Sequence, residues 1–259
     1  MSDKQIGSMV MEDIGTGEVV VMIHGLGGTS NSFQPMMKSL SGYRVVRPDL
    51  PGAGRSNLKP GKPGLDGLMS AVMDCLNAAN IKRAHFVGHS MGTLICQHIV
   101  VKFPELVQSL VLFGPILEPP VAARQALIDR AATARTDGMA GIADMVANSS
   151  LSNSSRSANP VTAAFVRESL MRQDGKGYAK HCEALSKAQA ANHAEIHCPT
   201  LLVAGANDLV APVKMARELK NKIDKAKLEI IPDIGHWIMI EACERSANLL
   251  RAHLDNFSD

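Results

Sequence analysis

A chain of 259 residues, 46% hydrophobic and 20% charged, has enough apolar content to bury one sizeable core and is too apolar to remain disordered. A formal net charge of +2 with no dense basic run gives no footing for a nucleic-acid partner. The five cysteines are odd in number, scattered and without a CxxC pair, which argues against a disulfide framework or a zinc site and fits a reducing compartment.

Residues 1–11 are polar, with no charged stretch leading into an apolar one, so no signal peptide is expected. No apolar run approaches the length needed to cross a bilayer, and a cytoplasmic protein without membrane contact is the expectation. Val19–Ile23 is continuous and β-branched, as are residues 43–46, 110–113 and 201–203; residues 85–88 and 228–231 show the pattern less fully. Such runs predict strands buried on both faces, as in a parallel sheet covered by helices. Helical spacing occupies 67–79, 91–101, 212–222 and 241–254 between them, so the fold class is α/β with a mostly parallel central sheet and helices on both faces.

The alternation breaks between about residue 115 and residue 195. Residues 120–135, 139–147, 161–172 and 177–190 all read as helices, and the serine- and asparagine-rich 148–157 reads as a mobile loop. The predicted division is a body of residues 1–114 and 196–259 with an inserted helical lid at 115–195.

Gly88-His89-Ser90-Met91-Gly92 matches G-x-S-x-G between an apolar run and a helical pattern. A serine on so tight a strand-to-helix turn needs neighbours without side chains two positions away on either side. The turn exposes its hydroxyl above the sheet at a helix N-terminus, where main-chain N–H groups favour developing negative charge. In this context the motif resembles the α/β-hydrolase superfamily.

That resemblance implies the chain order nucleophile, acid, base. Asp208, in Gly205-Ala206-Asn207-Asp208 after an apolar strand, resembles the superfamily's acid turn; Glu118, one strand earlier, is the alternative. His236, in Asp233-Ile234-Gly235-His236-Trp237 before the last helix, stands where the superfamily places its base, while Asp233 reads as a turn residue. His24-Gly25-Leu26-Gly27-Gly28 resembles its H-G-x-G loop, which implies an oxyanion hole made by the main-chain N–H groups of Leu26 and Met91. Asp49-Leu50-Pro51-Gly52-Ala53-Gly54-Arg55-Ser56 matches D-x-x-G-x-G-x-S and reads as structural support. Among the other histidines, His24 is expected to fix the loop after it and His89 to pack inside the elbow. His193, His197 and Cys198 lack a further ligand and lead into a strand, so no metal is assigned, and no cofactor is implied.

A serine nucleophile excludes the branches that use aspartate there. What remains is acyl transfer to water, with a small-molecule ester or lactone as partner. Ser90-Met91-Gly92, Gly177-Tyr178, Cys182 and Ala184-Leu185 resemble small bacterial esterases and lactonases of the 3-oxoadipate enol-lactonase kind. Those lactonases carry Asn-Ser-Leu-Gly at the oxyanion loop, where this chain has His24-Gly25-Leu26-Gly27. Ser90-Met91-Gly92 and His236-Trp237 also resemble C–C hydrolases of ring-fission products, in which Arg167 or Arg172 would hold a substrate carboxylate. A non-catalytic binder on the same fold is the third reading. Gly25 and Trp237 are the expected substrate contacts, and Met139, Met145 and Met171 suggest an apolar, adaptable lid. Self-association stays open.

Overall fold

The computed structural model describes residues 2–58 and 64–258. Its strands form one eight-stranded sheet in the order β1-β2-β4-β3-β5-β6-β7-β8. Six of them, β3 (Val19–Ile23), β4 (Arg44–Pro48), β5 (Ala84–His89), β6 (Val107–Phe113), β7 (Thr200–Gly205) and β8 (Ala226–Ile231), run parallel. The continuous apolar runs have a simple cause. Val21, Ile23, Leu110 and Leu112 enter one apolar cluster, while Val20, Met22, Val111 and Phe113 enter a second on the opposite face. Neither face of these strands meets water, so alternation gives way to unbroken hydrophobicity.

Two further strands were not anticipated. β1 (Ser2–Ile6) and β2 (Met9–Ile14) form an antiparallel hairpin whose second strand pairs antiparallel with β4. β1, the outermost strand, has the polarity of a sheet edge, where charges discourage pairing with other chains, while β2 is paired on both sides and buries Met9 and Met11. Asp13 receives both Lys4 and Arg44, and these bonds hold its carboxyl down at about 2.

Helices α1 (Gly64–Ala78), α2 (Met91–Lys102) and α8 (Val213–Lys222) supply Val72, Leu94 and Leu219 to the first cluster. Helices α9 (Ile238–Glu241) and α10 (Cys243–Asp255), with the 3-10 segment Ser30–Leu40, supply Ile238, Leu250 and Phe33 to the second. The helix expected over 241–254 is α10, and the short α9 precedes it across Ala242, which has φ −129° and ψ 53°.

Between β6 and β7 lies an all-helical block: α3 (Val121–Thr136), α4 (Ala140–Ser150), α5 (Asn153–Ala158), α6 (Pro160–Met171) and α7 (Gly175–Ser186). The mobile loop expected at 148–157 is not there; α4 runs to Ser150 and α5 begins at Asn153. Ser152, one of the residues that suggested a loop, is a helix cap, as is Asn159 just beyond the segment. Ser152 Oγ accepts from Ser155 N at 3.0 Å, and Asn159 Oδ1 accepts from Val161 N at 3.2 Å with Pro160 opening α6. Helix α5 buries no residue, so its polarity reflects exposure rather than looseness. Helix α7 stops at Ser186, short of the expected 190.

No helix among the described residues is long and apolar enough to cross a membrane. Strand order reverses around β3, which lies between β4 and β5. Ligands of parallel α/β sheets bind beyond the carboxyl ends of the strands at such a reversal.

Candidate active site

Ser90, Asp208 and His236 follow β5, β7 and β8, and converge beyond the carboxyl ends of the sheet. Ser90 stands between β5 and α2 with φ 52° and ψ −120°, a conformation costing about 1–3 kcal/mol for a residue with a side chain. Neighbouring groups hold it there. Ser90 N donates to Phe113 O at 3.0 Å, and Ser90 O accepts from Thr93 N at 2.8 Å and Thr93 Oγ1 at 2.6 Å. The turn also presses α2 against β3: a Cβ on Gly92 would lie 2.1 Å from the carbonyl oxygen of Ile23. That contact is why the second glycine of the motif is needed.

Ser90 Oγ lies 2.8 Å from His236 Nε2, and His236 Nδ1 lies 2.7 Å from Asp208 Oδ2. The other oxygen, Asp208 Oδ1, accepts from Val210 N and Ala211 N, both at 2.8 Å. An Nδ1–H donated to the carboxylate leaves Nε2 bare to accept the serine proton. All three residues are at most 5% exposed. Glu118, the alternative acid, is paired with Arg124 at 3.6 Å and is 44% exposed. Asp233 has the positive φ of 60° that suits a turn residue.

The loop after β3 lies beside Ser90. A Cβ on Gly25 would sit 2.7 Å from Ser90 Cβ, so the glycine leaves the space next to the hydroxyl open. Leu50 N donates to His24 Nε2 at 2.9 Å, which makes Nδ1 the protonated nitrogen, donating to Gly25 O at 2.8 Å. Burial pushes the His24 pKa down and keeps this neutral tautomer. Among the described residues none accepts from Leu26 N–H. Met91 is the first residue of α2, where N–H groups lack a carbonyl one turn earlier.

The loop of residues 49–56 supports this arrangement from below. Asp49 Oδ1 accepts from Ser30 N at 2.7 Å, while Oδ2 accepts from Arg55 N at 3.1 Å and Arg55 Nε at 2.9 Å. Arg55 and the buried Arg47 both reach Glu12, which fastens the hairpin to this loop.

His89 and Trp237 complete the surroundings of His236. His89 Nε2–H donates to His236 O at 3.0 Å, and burial, reinforced by His236, drives the His89 pKa well down. Trp237, expected at the substrate, is instead engaged by the loop itself. It is 2% exposed, 5.3 Å from the His89 ring, and its indole Nε1–H donates to Ser150 Oγ at 3.1 Å. Arg167 and Arg172 are both exposed, and Arg167 is bonded to Asp144. Met145 and Met171 are exposed, while Met139 is buried within the block. His193 is bound to Gln97 Oε1 at 2.7 Å and His197 is exposed, so the two do not converge.

Several neighbours of the site carried no local signal in the chain. Ser150 O accepts from His236 N at 2.7 Å. Ser169 Oγ donates to Gly27 O at 2.9 Å, and Gln173 Nε2 to the same oxygen at 3.3 Å. All three belong to the helical block, and only the folded structure brings them to the body.

Comparison with known proteins agrees with this architecture. A family model of the alpha/beta hydrolase fold matches residues 18–242, and the chain belongs to that family. It is 30% identical over 233 residues to 3-oxoadipate enol-lactonase 1 of Acinetobacter baylyi, covering 87% of this chain and 84% of that protein. It is 27% identical over 255 residues to a 2-hydroxy-6-oxononadienedioate/2-hydroxy-6-oxononatrienedioate hydrolase of Burkholderia vietnamiensis, covering 90% and 86%. The enol-lactonase from Burkholderia xenovorans LB400 superposes with a TM-score of 0.91 at 25% identity, covering 98% and 100%.

Proposed function

We propose that this hydrolase cleaves a carboxylic ester or lactone by a serine-dependent acyl-enzyme mechanism, as a cytoplasmic protein with residues 115–195 as its lid. The observation that carries the proposal is the hydrogen-bonded relay from Ser90 Oγ through His236 to Asp208, closed at both ends at 2.8 and 2.7 Å. Ser90 Oγ attacks the substrate carbonyl carbon while His236 Nε2 takes its proton. The tetrahedral oxyanion receives the N–H groups of Leu26 and Met91, beside the space left by Gly25. On collapse the carbonyl–oxygen bond breaks and His236 returns the proton to the leaving alkoxide. In a lactone that alkoxide stays tethered to the acyl chain. Water gives a proton to His236 and attacks the acyl carbon; the acyl–Oγ bond then breaks and His236 returns that proton to Ser90 Oγ. Asp208 holds the imidazole in the required tautomer throughout.

A second reading, C–C hydrolysis of a ring-fission product, draws on the similarity to the 2-hydroxy-6-oxo-dienedioate hydrolase. Arg167 is exposed and bonded to Asp144, and Arg172 is exposed, so the carboxylate-holding residues of this reading have less support than the relay of the first.

Initial rates on a panel of activated short-chain esters and lactones, with wild type beside Ser90→Ala, test the proposal. Turnover lost in Ser90→Ala supports it, and the ester-to-lactone ratio names the substrate class. Wild-type silence on the whole panel, with turnover of a 2-hydroxy-6-oxo dienoate, moves the assignment to the second reading. Undiminished activity in Ser90→Ala overturns both.

A further inference from the structure

His236 stands on an irregular segment between β8 and α9, where no strand ladder or helix fixes the main chain. Its position depends on other partners: His89 Nε2–H on His236 O and Asn207 N on Ile234 O from the body, Ser150 and Ser154 from the block, and one further side chain that joins the two sides. Glu241, at the end of α9, turns its carboxylate back toward this segment. Oε2 accepts from Gly235 N at 3.0 Å and Oε1 from Trp237 N at 3.0 Å, so the main chain is fastened on both sides of His236. Oε2 also accepts from Ser152 N at 2.9 Å, a donor 89 residues away at the junction of α4 and α5. The same junction takes His236 N at Ser150 O, the Trp237 indole at Ser150 Oγ, and gives Ser154 Oγ to Asp233 O at 2.8 Å.

We propose that Glu241 is a positioning residue for the base, its carboxylate tying the main chain around His236 to the α4–α5 junction so that the base and this part of the helical block hold position as one unit. The inference rests on the reading of His236 as the base. The physical reason is the acceptor count. A carboxylate offers only acceptors and serves three N–H groups at once through charge-assisted bonds, each roughly twice as strong as a neutral one. A glutamine of the same shape has one acceptor oxygen and turns an NH2 group toward an N–H, so at least one of the three donors loses its partner. A base displaced by a fraction of an ångström loses turnover more than binding, because the displacement falls on the reacting geometry.

Two pairs of variants test this. The first sets Glu241→Gln against wild type. On 4-nitrophenyl acetate, normalised to active sites titrated with a phosphonate, kcat is expected to fall by about 10- to 100-fold while KM changes by less than about threefold. The pH profile of kcat is expected to move with it. Trp237 is the only tryptophan of the chain and is buried against Ser150, so its emission reports on the segment without reference to activity. A red shift in Glu241→Gln is expected.

The second pair isolates the donor from the block. Ser152→Pro and Ser152→Ala both remove the α5 cap, but only the proline removes the N–H that Glu241 accepts. Ser152 has φ −67° and Leu151 has ψ 149°, so the main chain admits proline without rearrangement. Ser152→Pro is expected to show the lower kcat, by about 3- to 10-fold for one lost charge-assisted bond, and the redder emission.

A lower melting temperature in Glu241→Gln with kcat per titrated site and emission unchanged would reduce Glu241 to a helix cap and overturn the proposal. Equality of Ser152→Pro and Ser152→Ala overturns the tie to the block. A wild type without Ser90-dependent turnover brings down the functional reading instead, and the emission comparison then decides the tie alone.

Discussion

The sheet holds Ser90, whereas the helical block holds much of the segment that carries His236. Around Ser90 the contacts come from β6 through Phe113 O and from β3 through the close approach of Ile23 to Gly92. Around His236 they come from both sides: His89 Nε2 and Asn207 N from the body, and Ser150 O, Ser150 Oγ and, through Glu241, Ser152 N from the block. The strained φ of Ser90 persists because buried neighbours on both sides of β5 over-determine it. His236 stands outside any strand or helix, and its place is set where contacts from the body and from the block meet.

The comparison breaks first at Gly92. Gly92→Ala places a methyl 2.1 Å from a backbone oxygen of the central sheet, which cannot shift cheaply. The expected outcome is a loss of more than about 4 kcal/mol, seen as failure to give a cooperative melt by circular dichroism. Asp208→Asn comes next. The sheet and elbow stay intact, so the melting temperature changes little, while kcat falls by about 10²- to 10⁴-fold from the wrong imidazole tautomer.

Acid sharpens the comparison by loosening the seam between block and body. His181 on α7 donates to Pro51 O at 2.9 Å, and burial pushes its pKa down to about 4. His193, against Gln97 of α2, is likewise pushed down to about 4 by burial. The unfolded chain takes up these protons from about pH 6.5 downward, while the folded protein refuses them until about pH 4. Stability is therefore fully present above pH 6.5 and is lost as pH falls toward 4, by at most about 1.4 kcal/mol per pH unit for each histidine. Melting temperatures recorded between pH 7.5 and 4.5 check the direction. A flat profile would show that these histidines are not buried as neutral groups.

The smallest expected effect is that of Ser150→Ala. It removes the acceptor of the Trp237 indole but keeps the main-chain carbonyl that holds His236 N. A cost of about 1 kcal/mol in stability and a change in tryptophan emission are expected, with kcat lowered only a few-fold.

The same contrast explains which parts were readable in the chain. G-x-S-x-G encodes a turn whose two glycines and serine lie within five positions, so sequence spacing alone exposes it. Asp208 follows an apolar strand that announces itself as an unbroken run, whereas β8 before His236 is broken by Lys227 and Glu229, and His236 is found by its resemblance to the superfamily's base position. Strand β1 escaped because an edge strand carries charges in place of an apolar run. Residues 148–157 misled for a related reason: Ser152 and Asn159 are capping residues, and caps and loops draw on the same residue types. Trp237 beside His236 suggested a substrate contact, but its partner Ser150 is 87 positions away and carries no local signature. Glu241 was invisible as a positioning group because two of its three donors flank an irregular segment and the third lies in another region.

The most direct measurement of the central claim is covalent trapping of the nucleophile. The enzyme would be incubated with a fluorophosphonate and its peptides read by mass spectrometry. The mechanism predicts one adduct per chain, on Ser90, forming far more slowly in Asp208→Asn. An unlabelled Ser90 in the folded wild-type protein, or an adduct confined to another residue, would contradict it.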